Sequence, residues 1–374
     1  MHIHRLDPTN RRDVRRYIDF PFRLYRDSAL WVPPFVNEVR AQLDPNKHPF
    51  YQHSQAAFFL ALEEGEVVGR VAVLDNARYN RYRDEHTAFF YHFDAVDDRQ
   101  VSRALFDAAF DWARGRGLDL LWGPKGFMAA DGQGLLIEGF EHRPALGIPY
   151  NYSYYGELLE DAGFEKQLDF VSCLIDREMD ISSRFLEVAD KVRQRRGFRM
   201  VRLHTKAELR AVILRVAAAY NSAFVEVQGY VPITEAEAQA IGDRILSIAD
   251  PELIPLLMKD DDIAGFVLAY PDLSAAIQRC RGRMWPTGWY YLMREFKRTR
   301  WLNVNGGAIL EPYRGLGGDA LLYAEVYRTL TASDRYQFAD LVQVQETNTR
   351  MMQELAALEA RPYKKHRIYR RPLT

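Results

Sequence analysis

Residues 308–323 read Ala-Ile-Leu-Glu-Pro-Tyr-Arg-Gly-Leu-Gly-Gly-Asp-Ala-Leu-Leu-Tyr, and this stretch decides how the second half of the chain folds. The apolar run that leads into it, 301–310, predicts a strand. Pro312 ends that strand, because proline has no N–H to donate to a sheet ladder. A helix is expected to begin near Gly317, since apolar residues recur after it at helical spacing: Leu322, Val326 and Leu330.

The predicted order of strand, glycine-rich turn and helix creates a place for a phosphate. Glycines leave backbone N–H groups uncovered, and here they lie at the positive end of a helix dipole. Two familiar phosphate loops are excluded. A Walker loop ends Gly-Lys-Ser/Thr, whereas this turn ends Gly-Gly-Asp, and a dinucleotide fingerprint would need a third glycine that is missing.

The turn closely resembles the coenzyme A loop of the GCN5-related N-acetyltransferases, Val-x-Pro-x-x-Arg/Gln-x-x-Gly-x-Gly/Ala. Leu310, Pro312, Arg314 and Gly317 match that pattern, but Asp319 occupies the final small position. The resemblance implies that acetyl-CoA or a longer acyl-CoA is the co-substrate. Its pyrophosphate would be held by the Arg314 side chain and by the backbone amides that follow: Gly315, Leu316, Gly317, Gly318 and Asp319.

The same resemblance implies where acyl transfer takes place. In that fold the strand before the glycine turn splays from its neighbour, and pantetheine lies in the gap. The N–H of Leu310 would then bind the thioester carbonyl oxygen, on which negative charge develops during transfer. Asn348 matches an asparagine that contacts pantetheine or the acceptor, although an asparagine at a helix start also serves as an N-cap.

An amine acceptor has to lose a proton before it attacks, and a carboxylate near the strand ends could take that proton. Glu311 and Glu346 are placed for this role, with an ordinary solvated charge as the alternative for each. The tyrosine that often serves as the acid in this family is missing, because Leu355 stands in its place.

Length and composition limit the class of protein. The chain has 374 residues, a formal net charge of −1 and 48% hydrophobic residues, which indicates two or three globular domains and makes nucleic-acid binding unlikely. Two cysteines and nine histidines form no metal-ligand motif, so no metal is expected. With no signal peptide and no apolar run of membrane-spanning length, we expect a soluble cytoplasmic protein.

The order of strands and helices is similar in the two halves. We therefore expect an α/β (α+β) protein made of two tandem domains, each a mixed, mainly antiparallel sheet flanked by helices. Residues 1–178 form the first domain, 179–197 a linker helix region, and 198–374 the second domain with the acyl-CoA loop. The first half contains the short motifs Trp31-Val32-Pro33-Pro34, Val68-Gly69-Arg70 and 134–140. These motifs are similar to those of a bacterial family of two-domain acetyltransferase-like proteins.

The first half departs from the coenzyme pattern. Its equivalent loop, 97–102, has two acids and no glycine, so it should not hold a pyrophosphate. Residues 150–155 of the same half are dense in amphipathic aromatics, which suits an acceptor pocket, although buried structural tyrosines would give the same pattern. The proposed pocket residues are Tyr150, Asn151, Tyr154 and Tyr155.

These observations predict an N-acyltransferase that moves an acetyl or longer acyl group from acyl-CoA to a small-molecule or lipid amine by direct attack on the thioester. Two alternatives remain open. One is a Fem-type aminoacyl transferase that uses aminoacyl-tRNA, and the other is a non-catalytic acyl-CoA-binding protein. The sequence gives no indication of the oligomeric state.

Residues 279–301 combine seven basic side chains with one acid, Glu295, and six aromatics. That mixture is attracted to an anionic membrane surface, which predicts a peripheral membrane contact. Single-stranded RNA is attracted by the same mixture. A helix that packs on its own domain with solvated basic residues is the third interpretation.

Overall fold

The computed structural model describes residues 1–179, 183–225, 227–332 and 334–373, apart from the side chains of 183–185 and 188. The chain divides into two compact units. Unit 1 comprises Met1–Phe170, Ser274–Leu292 and Lys364–Thr374, and unit 2 comprises Val171–Leu273 and Met293–Tyr363. Residues 274–292 and 364–374, which the sequence assigns to the second domain, therefore group with unit 1.

The strands of the described residues have the following bounds in chain order: His2–Arg5 (β1), Gln55–Glu63 (β2), Glu66–Asp75 (β3), Thr87–Ala95 (β4), Leu120–Gly123 (β5), Leu135–Glu138 (β6), Glu165–Asp176 (β7), Phe198–Val201 (β8), Leu256–Lys259 (β9), Asp262–Pro271 (β10), Trp301–Ile309 (β11), Phe338–Gln345 (β12) and Arg361–Pro372 (β13).

The α-helices of the same residues follow in chain order: Arg11–Leu24 (α1), Val36–Gln42 (α2), Ala77–Arg83 (α3), Arg99–Arg114 (α4), Tyr155–Asp161 (α5), Ser183–Arg196 (α6), Lys206–Ala223 (α7), Glu235–Ile248 (α8), Ser274–Cys280 (α9), Gly288–Arg298 (α10), Gly318–Ala332 (α11) and Thr349–Ala357 (α12). Short 3-10 turns cover Pro49–Gln52, Pro251–Leu253 and Glu311–Tyr313.

In unit 1 the strand order is β1-β2-β3-β4-β5-β13-β7. The pairs β1–β2, β2–β3, β3–β4 and β13–β5 are antiparallel, and β4–β5 is parallel. The short strand β6 pairs with β13 and is antiparallel to it. An apolar core of side chains from β2–β4 and α4 lies on one face of the sheet, with Leu105, Phe106 and Phe110 buried.

In unit 2 the order is β7-β12-β11-β10-β9-β8, with β11–β12 parallel and the pairs β10–β11, β9–β10 and β8–β9 antiparallel. A core on one face packs side chains of α6, α11 and α12 against the sheet, including Ala189, Leu322 and Leu355. A second apolar cluster, on α7, α8, β9 and β10, includes Leu209, Leu246 and Phe266. Each unit is thus a mixed, mainly antiparallel sheet with helices packed against it, which confirms the expected fold class.

Candidate functional site

The β11 and β12 strands of unit 2 separate before either of them ends. Their parallel pairing runs from Trp301 opposite Phe338 to Val304 opposite Leu341 and stops there. Both strands continue, and β11 stays paired with β10 as far as Ile309. The last five residues of β11 therefore line a gap on the side of β12.

A β-bulge in β11 begins where the two strands separate. Val304 opposes Ala269 and Gly307 opposes Val267, so two residues of β11, Asn305 and Gly306, face a single residue of β10. Gly306 has a φ of 151°, a conformation that side chains disfavour. Because bulges bend a strand and re-aim its groups, this one accounts for the separation from β12.

The glycine turn follows the gap directly. A 3-10 turn covers Glu311–Tyr313, and α11 begins at Gly318, one residue beyond the predicted start. Gly315 and Gly317 adopt φ of 75° and 84°. A Cβ built on Gly315 meets nothing within 4 Å, whereas one on Gly317 would lie 2.7 Å from the Val192 side chain in α6. The turn is therefore open at Gly315 and closely packed at Gly317.

Leu310 does not direct its N–H into the gap. That N–H donates to the carbonyl oxygen of Ala264 in β10 at 2.9 Å. Because successive residues of a strand point their amides to opposite sides, the N–H of Ile309 points toward β12. The Ile309 amide is therefore better placed than the Leu310 amide to bind a thioester carbonyl oxygen in the gap. Which of the two amides faces the gap depends on the register of β11 with β10.

The Arg314 guanidinium binds backbone carbonyls of unit 2. Its Nη2 donates to the Ala223 oxygen at the end of α7 at 2.7 Å, and its Nε to the Ile309 oxygen at 3.4 Å. The side chain ties α7 to the strand before the turn. For Arg314 to hold a pyrophosphate as well, it would have to exchange one of these bonds or use its other N–H groups.

Asp319, the residue that departs from the coenzyme pattern, is ion-paired with Arg350 in the first turn of α12. Arg350 also bonds the Glu354 carboxylate at 3.1 Å. Burial raises the pKa of Asp319, and the Arg350 charge acts against that rise. Burial and the nearby Asp319 charge raise the pKa of Glu354 too. Arg350 thus compensates the negative charge that Asp319 brings to the turn.

The remaining predicted residues of this site lie at element ends. Asn348 is the N-cap of α12, and its side-chain oxygen accepts the Met351 N–H at 3.1 Å. Glu311 is exposed at the end of β11, and Glu346 is half-buried just after β12. Leu355 is buried in the unit 2 core, so the position of the family's tyrosine is a packing position here.

A row of buried polar residues, which the sequence analysis missed, crosses three strands beside the bulge. Tyr270 of β10 pairs with Asn303 of β11, which pairs with Asp340 of β12. Asn303 donates to the Asp272 carboxylate at 3.3 Å, and the Asn305 amide donates to the Tyr270 hydroxyl at 2.5 Å. Burial raises the pKa of Tyr270. Each strand reads as an apolar run, and only the register brings these polar positions together.

In unit 1 the loop that corresponds to the glycine turn is closed by its own side chain. Asp98 is the N-cap of α4, and its carboxylate accepts the Gln100 N–H at 2.7 Å. The carboxylate occupies the helix terminus where a phosphate would otherwise bind. This contact supports the prediction that unit 1 holds no coenzyme.

Tyr154 and Tyr155 direct their hydroxyls into unit 1. The Tyr154 hydroxyl donates to the Ala95 carbonyl at 2.8 Å. The Tyr155 hydroxyl accepts from the Tyr25 hydroxyl at 2.8 Å, close to the buried ion pair of Arg70 and Asp94. Burial raises the pKa of both tyrosines.

Tyr150 and Asn151 also bond the backbone of unit 1. The Asn151 side chain accepts the Leu136 N–H at 2.7 Å and donates to the Leu136 carbonyl at 3.1 Å, which fixes β6. The Tyr150 hydroxyl donates to the Phe140 carbonyl at 3.2 Å. These bonds give all four pocket candidates a structural role, and their part in acceptor binding stays a prediction.

The described residues contain no group of three or more histidine, cysteine, aspartate or glutamate side chains placed to hold a metal ion. None of the helices in the described part of the chain has the length and apolar character needed to cross a bilayer.

No profile of a known protein family matches the sequence. Two curated protein sequences are similar along most of it. Protein YghO of Escherichia coli strain K12 is 29% identical over 97% of this chain and 94% of its own length. The bacterial ceramide synthase of Caulobacter vibrioides is 28% identical over 76% of this chain and 74% of its own length.

Among solved structures, the tandem GNAT protein from the clavulanic acid biosynthesis pathway superposes on the whole chain with a TM-score of 0.58. The superposition covers 98% of that protein at 13% identity. At this identity the similarity concerns the fold alone. The expected resemblance is therefore confirmed at that level: the chain has the fold of a tandem GCN5-related N-acetyltransferase.

Proposed function

We propose that the protein is an acyltransferase that moves an acyl group from acyl-CoA to an amine at the gap between β11 and β12. The observation that carries the proposal is the end of the β11–β12 ladder at Val304, with the glycine turn at the far end of the same gap. An extended ligand that lies in the gap can reach the backbone amides of β11, and the turn provides a helix N-terminus for its anionic group.

The residues of the turn fit coenzyme A. Gly315 leaves open space above the backbone, and α11 supplies the positive end of a 15-residue helix. Arg350 keeps the Asp319 carboxylate paired, so that the turn does not present an uncompensated negative charge to a pyrophosphate. The amides of Gly315, Leu316, Gly317, Gly318 and Asp319, with Arg314, are the proposed pyrophosphate site.

Bound acyl-CoA would supply an activated acyl group, and the chain's own residues would orient it and handle the proton. The Ile309 amide, which points toward the gap, is the donor we propose for the acyl carbonyl oxygen, in place of the Leu310 amide. Glu311 and Glu346 lie at the ends of the two strands that line the gap and are the proposed bases. Asn348 remains a candidate contact for pantetheine or acceptor at the start of α12.

The acceptor we propose is a lipid amine. The relative from Caulobacter vibrioides is named a ceramide synthase, and ceramide is by definition an N-acylated long-chain amino alcohol. A 28% identity over three quarters of the chain makes a long-chain amino alcohol the first acceptor to test. Small-molecule amines are the acceptors with which the long-chain amino alcohol is compared.

Release of free coenzyme A thiol tests the proposal. The protein is incubated with acetyl-CoA or palmitoyl-CoA, with and without a long-chain amino alcohol, and the amide product is identified by mass spectrometry. Amine-dependent thiol release is expected, and it should fall in Glu346→Gln or Glu311→Gln if the changed residue is the base. If the protein binds coenzyme A but forms no amide with any of the amines tested, the proposed acyltransferase activity is contradicted and a binding protein is indicated.

A further inference from the structure

A surface formed by residues 281–290, which we name the 281–290 surface, displays apolar side chains that the fold leaves uncovered. Four of its residues have large exposed fractions: Trp285 81%, Trp289 49%, Tyr290 48% and Met284 41%. A tryptophan that is four-fifths exposed leaves most of its apolar area in water, at a hydrophobic cost. Trp289 lies against the same turn, because its backbone and indole N–H groups donate to the carbonyl oxygens of Met284 and Pro286. Clustered exposed apolar side chains mark an interaction site.

The 281–290 surface is built on unit 1 by close backbone contacts. Gly282, with a φ of 66°, accepts the Val36 N–H at 2.9 Å, and a Cβ built there would lie 2.2 Å from the Pro34 carbonyl oxygen. A Cβ on Gly288 would lie 2.1 Å from the Arg283 carbonyl oxygen. The two glycines allow the chain to turn tightly, so the exposed side chains project from a fixed base.

Basic side chains flank the apolar ones. Arg281 and Arg283 are exposed, and their guanidinium groups lie 5.7 and 5.8 Å from the ring centre of Phe22. Arg283 also lies 3.3 Å from the Asp19 carboxylate, an exposed pair that leaves the arginine in contact with water.

We propose that the 281–290 surface docks on the surface of an anionic phospholipid bilayer. Tryptophan, tyrosine and methionine side chains would enter the boundary between headgroups and acyl chains, while the arginines remain at the level of the lipid phosphates. The proposal rests on exposure and charge and does not depend on the proposed acyl transfer.

One feature favours a bilayer over single-stranded RNA. Met284, Trp285 and Pro286 are consecutive exposed apolar residues, whereas proteins that bind single strands combine a basic groove that follows the backbone with rings on which the bases stack.

The test is co-sedimentation of the full chain with vesicles of phosphatidylcholine containing about 30 mol% phosphatidylglycerol, at low and high salt. The intact protein should sediment at low salt and much less with pure phosphatidylcholine vesicles. Trp285→Ala/Trp289→Ala should reduce the partition coefficient by about tenfold or more, because two large rings lose their insertion. Arg281→Gln/Arg283→Gln should reduce it by roughly fivefold per charge.

Matched controls come from exposed positions elsewhere on unit 1. Tyr82→Ala removes an exposed ring flanked by arginines on α3, and Arg11→Gln/Arg12→Gln removes two exposed charges on α1. Both controls should bind vesicles as the unchanged protein does. A brominated phospholipid should quench tryptophan fluorescence of the unchanged protein, and it should quench much less in Trp285→Phe/Trp289→Phe.

Four outcomes would overturn the proposal. The first is no sedimentation with anionic vesicles at low salt, and the second is equal loss of binding in the control variants. The third is retention of RNA by the 281–290 surface without vesicle binding. The fourth is self-association of the protein in the absence of lipid that Trp285→Ala abolishes.

Discussion

Asp319 in the first turn of α11 and Arg350 in the first turn of α12 form an ion pair beside the glycine turn. The Asp319 side chain is only 20% exposed, and that of Arg350 is 46% exposed. A carboxylate at a helix start is favoured by the helix dipole, but burial disfavours its charge. The arginine therefore offsets the cost of a buried carboxylate at the place where the coenzyme pattern calls for a small neutral residue.

Replacement of Arg350 by glutamine should destabilise the protein in a pH-dependent way. The pKa of Asp319 in the folded chain lies above its ordinary value of 3.8, so the folded chain binds this proton more tightly than the unfolded chain. Stability from this group therefore falls as the pH rises from 3.8 through the folded pKa. Without Arg350 the folded pKa rises further.

For Arg350→Gln we expect the free energy of unfolding to fall by about 1 kcal/mol at neutral pH, with a fall in Tm of roughly 2–4 °C, and to fall less near pH 5. Thermal unfolding at the two pH values measures this difference. The double variant Asp319→Asn/Arg350→Gln should recover most of the loss. An equal loss at both pH values, or no recovery in the double variant, would show that the pair does not act through the Asp319 charge.

Gly317 should tolerate a side chain far less well than Gly315, although both have positive φ. A Cβ at Gly317 would lie 2.7 Å from Val192, whereas one at Gly315 meets open space. Gly315→Ala should lower the free energy of unfolding by about 1–2 kcal/mol through backbone strain alone. Gly317→Ala should lower it by about 1–3 kcal/mol more, because the added methyl group overpacks the site. Urea unfolding compares the two variants. The second change Val192→Ala should rescue Gly317→Ala only, and rescue of neither would refute the packing explanation.

Asn348 should stabilise α12 through its cap. Asn348→Ala should cost about 1 kcal/mol, while Asn348→Ser should keep Tm close to that of the unchanged protein, since serine accepts the same N–H. The acyl-CoA KM of Asn348→Ser then separates the two interpretations of this residue. An unchanged KM limits Asn348 to capping, and a rise of about tenfold at unchanged Tm would show a contact with pantetheine or acceptor.

The local elements of the site could be predicted because periodicity and turn chemistry are local properties. The strand before Pro312, the turn and the helix after Gly317 follow from residues that are close in sequence, and the structure has them within a residue.

What could not be predicted depends on contacts between distant residues. The assignment of 274–292 and 364–374 to unit 1, and the pairing of β6 with β13, are long-range choices with no local signature. Which of two neighbouring amides faces the gap depends on the register of β11, and the Asn305 bulge shifts that register. The Arg350 partner of Asp319 lies 31 residues away.

Calorimetric titration with coenzyme A tests the central claim, that the turn at Gly315 holds the pyrophosphate. Asn and Asp are the side chains that adopt a left-handed conformation most readily, so Gly315→Asn and Gly315→Asp should strain the backbone equally and differ only in charge. We expect one bound coenzyme per chain for the unchanged protein and near-normal affinity for Gly315→Asn. Gly315→Asp should bind at least about tenfold more weakly, and high salt should reduce this difference. Equal affinities of the folded Asn and Asp variants would contradict it.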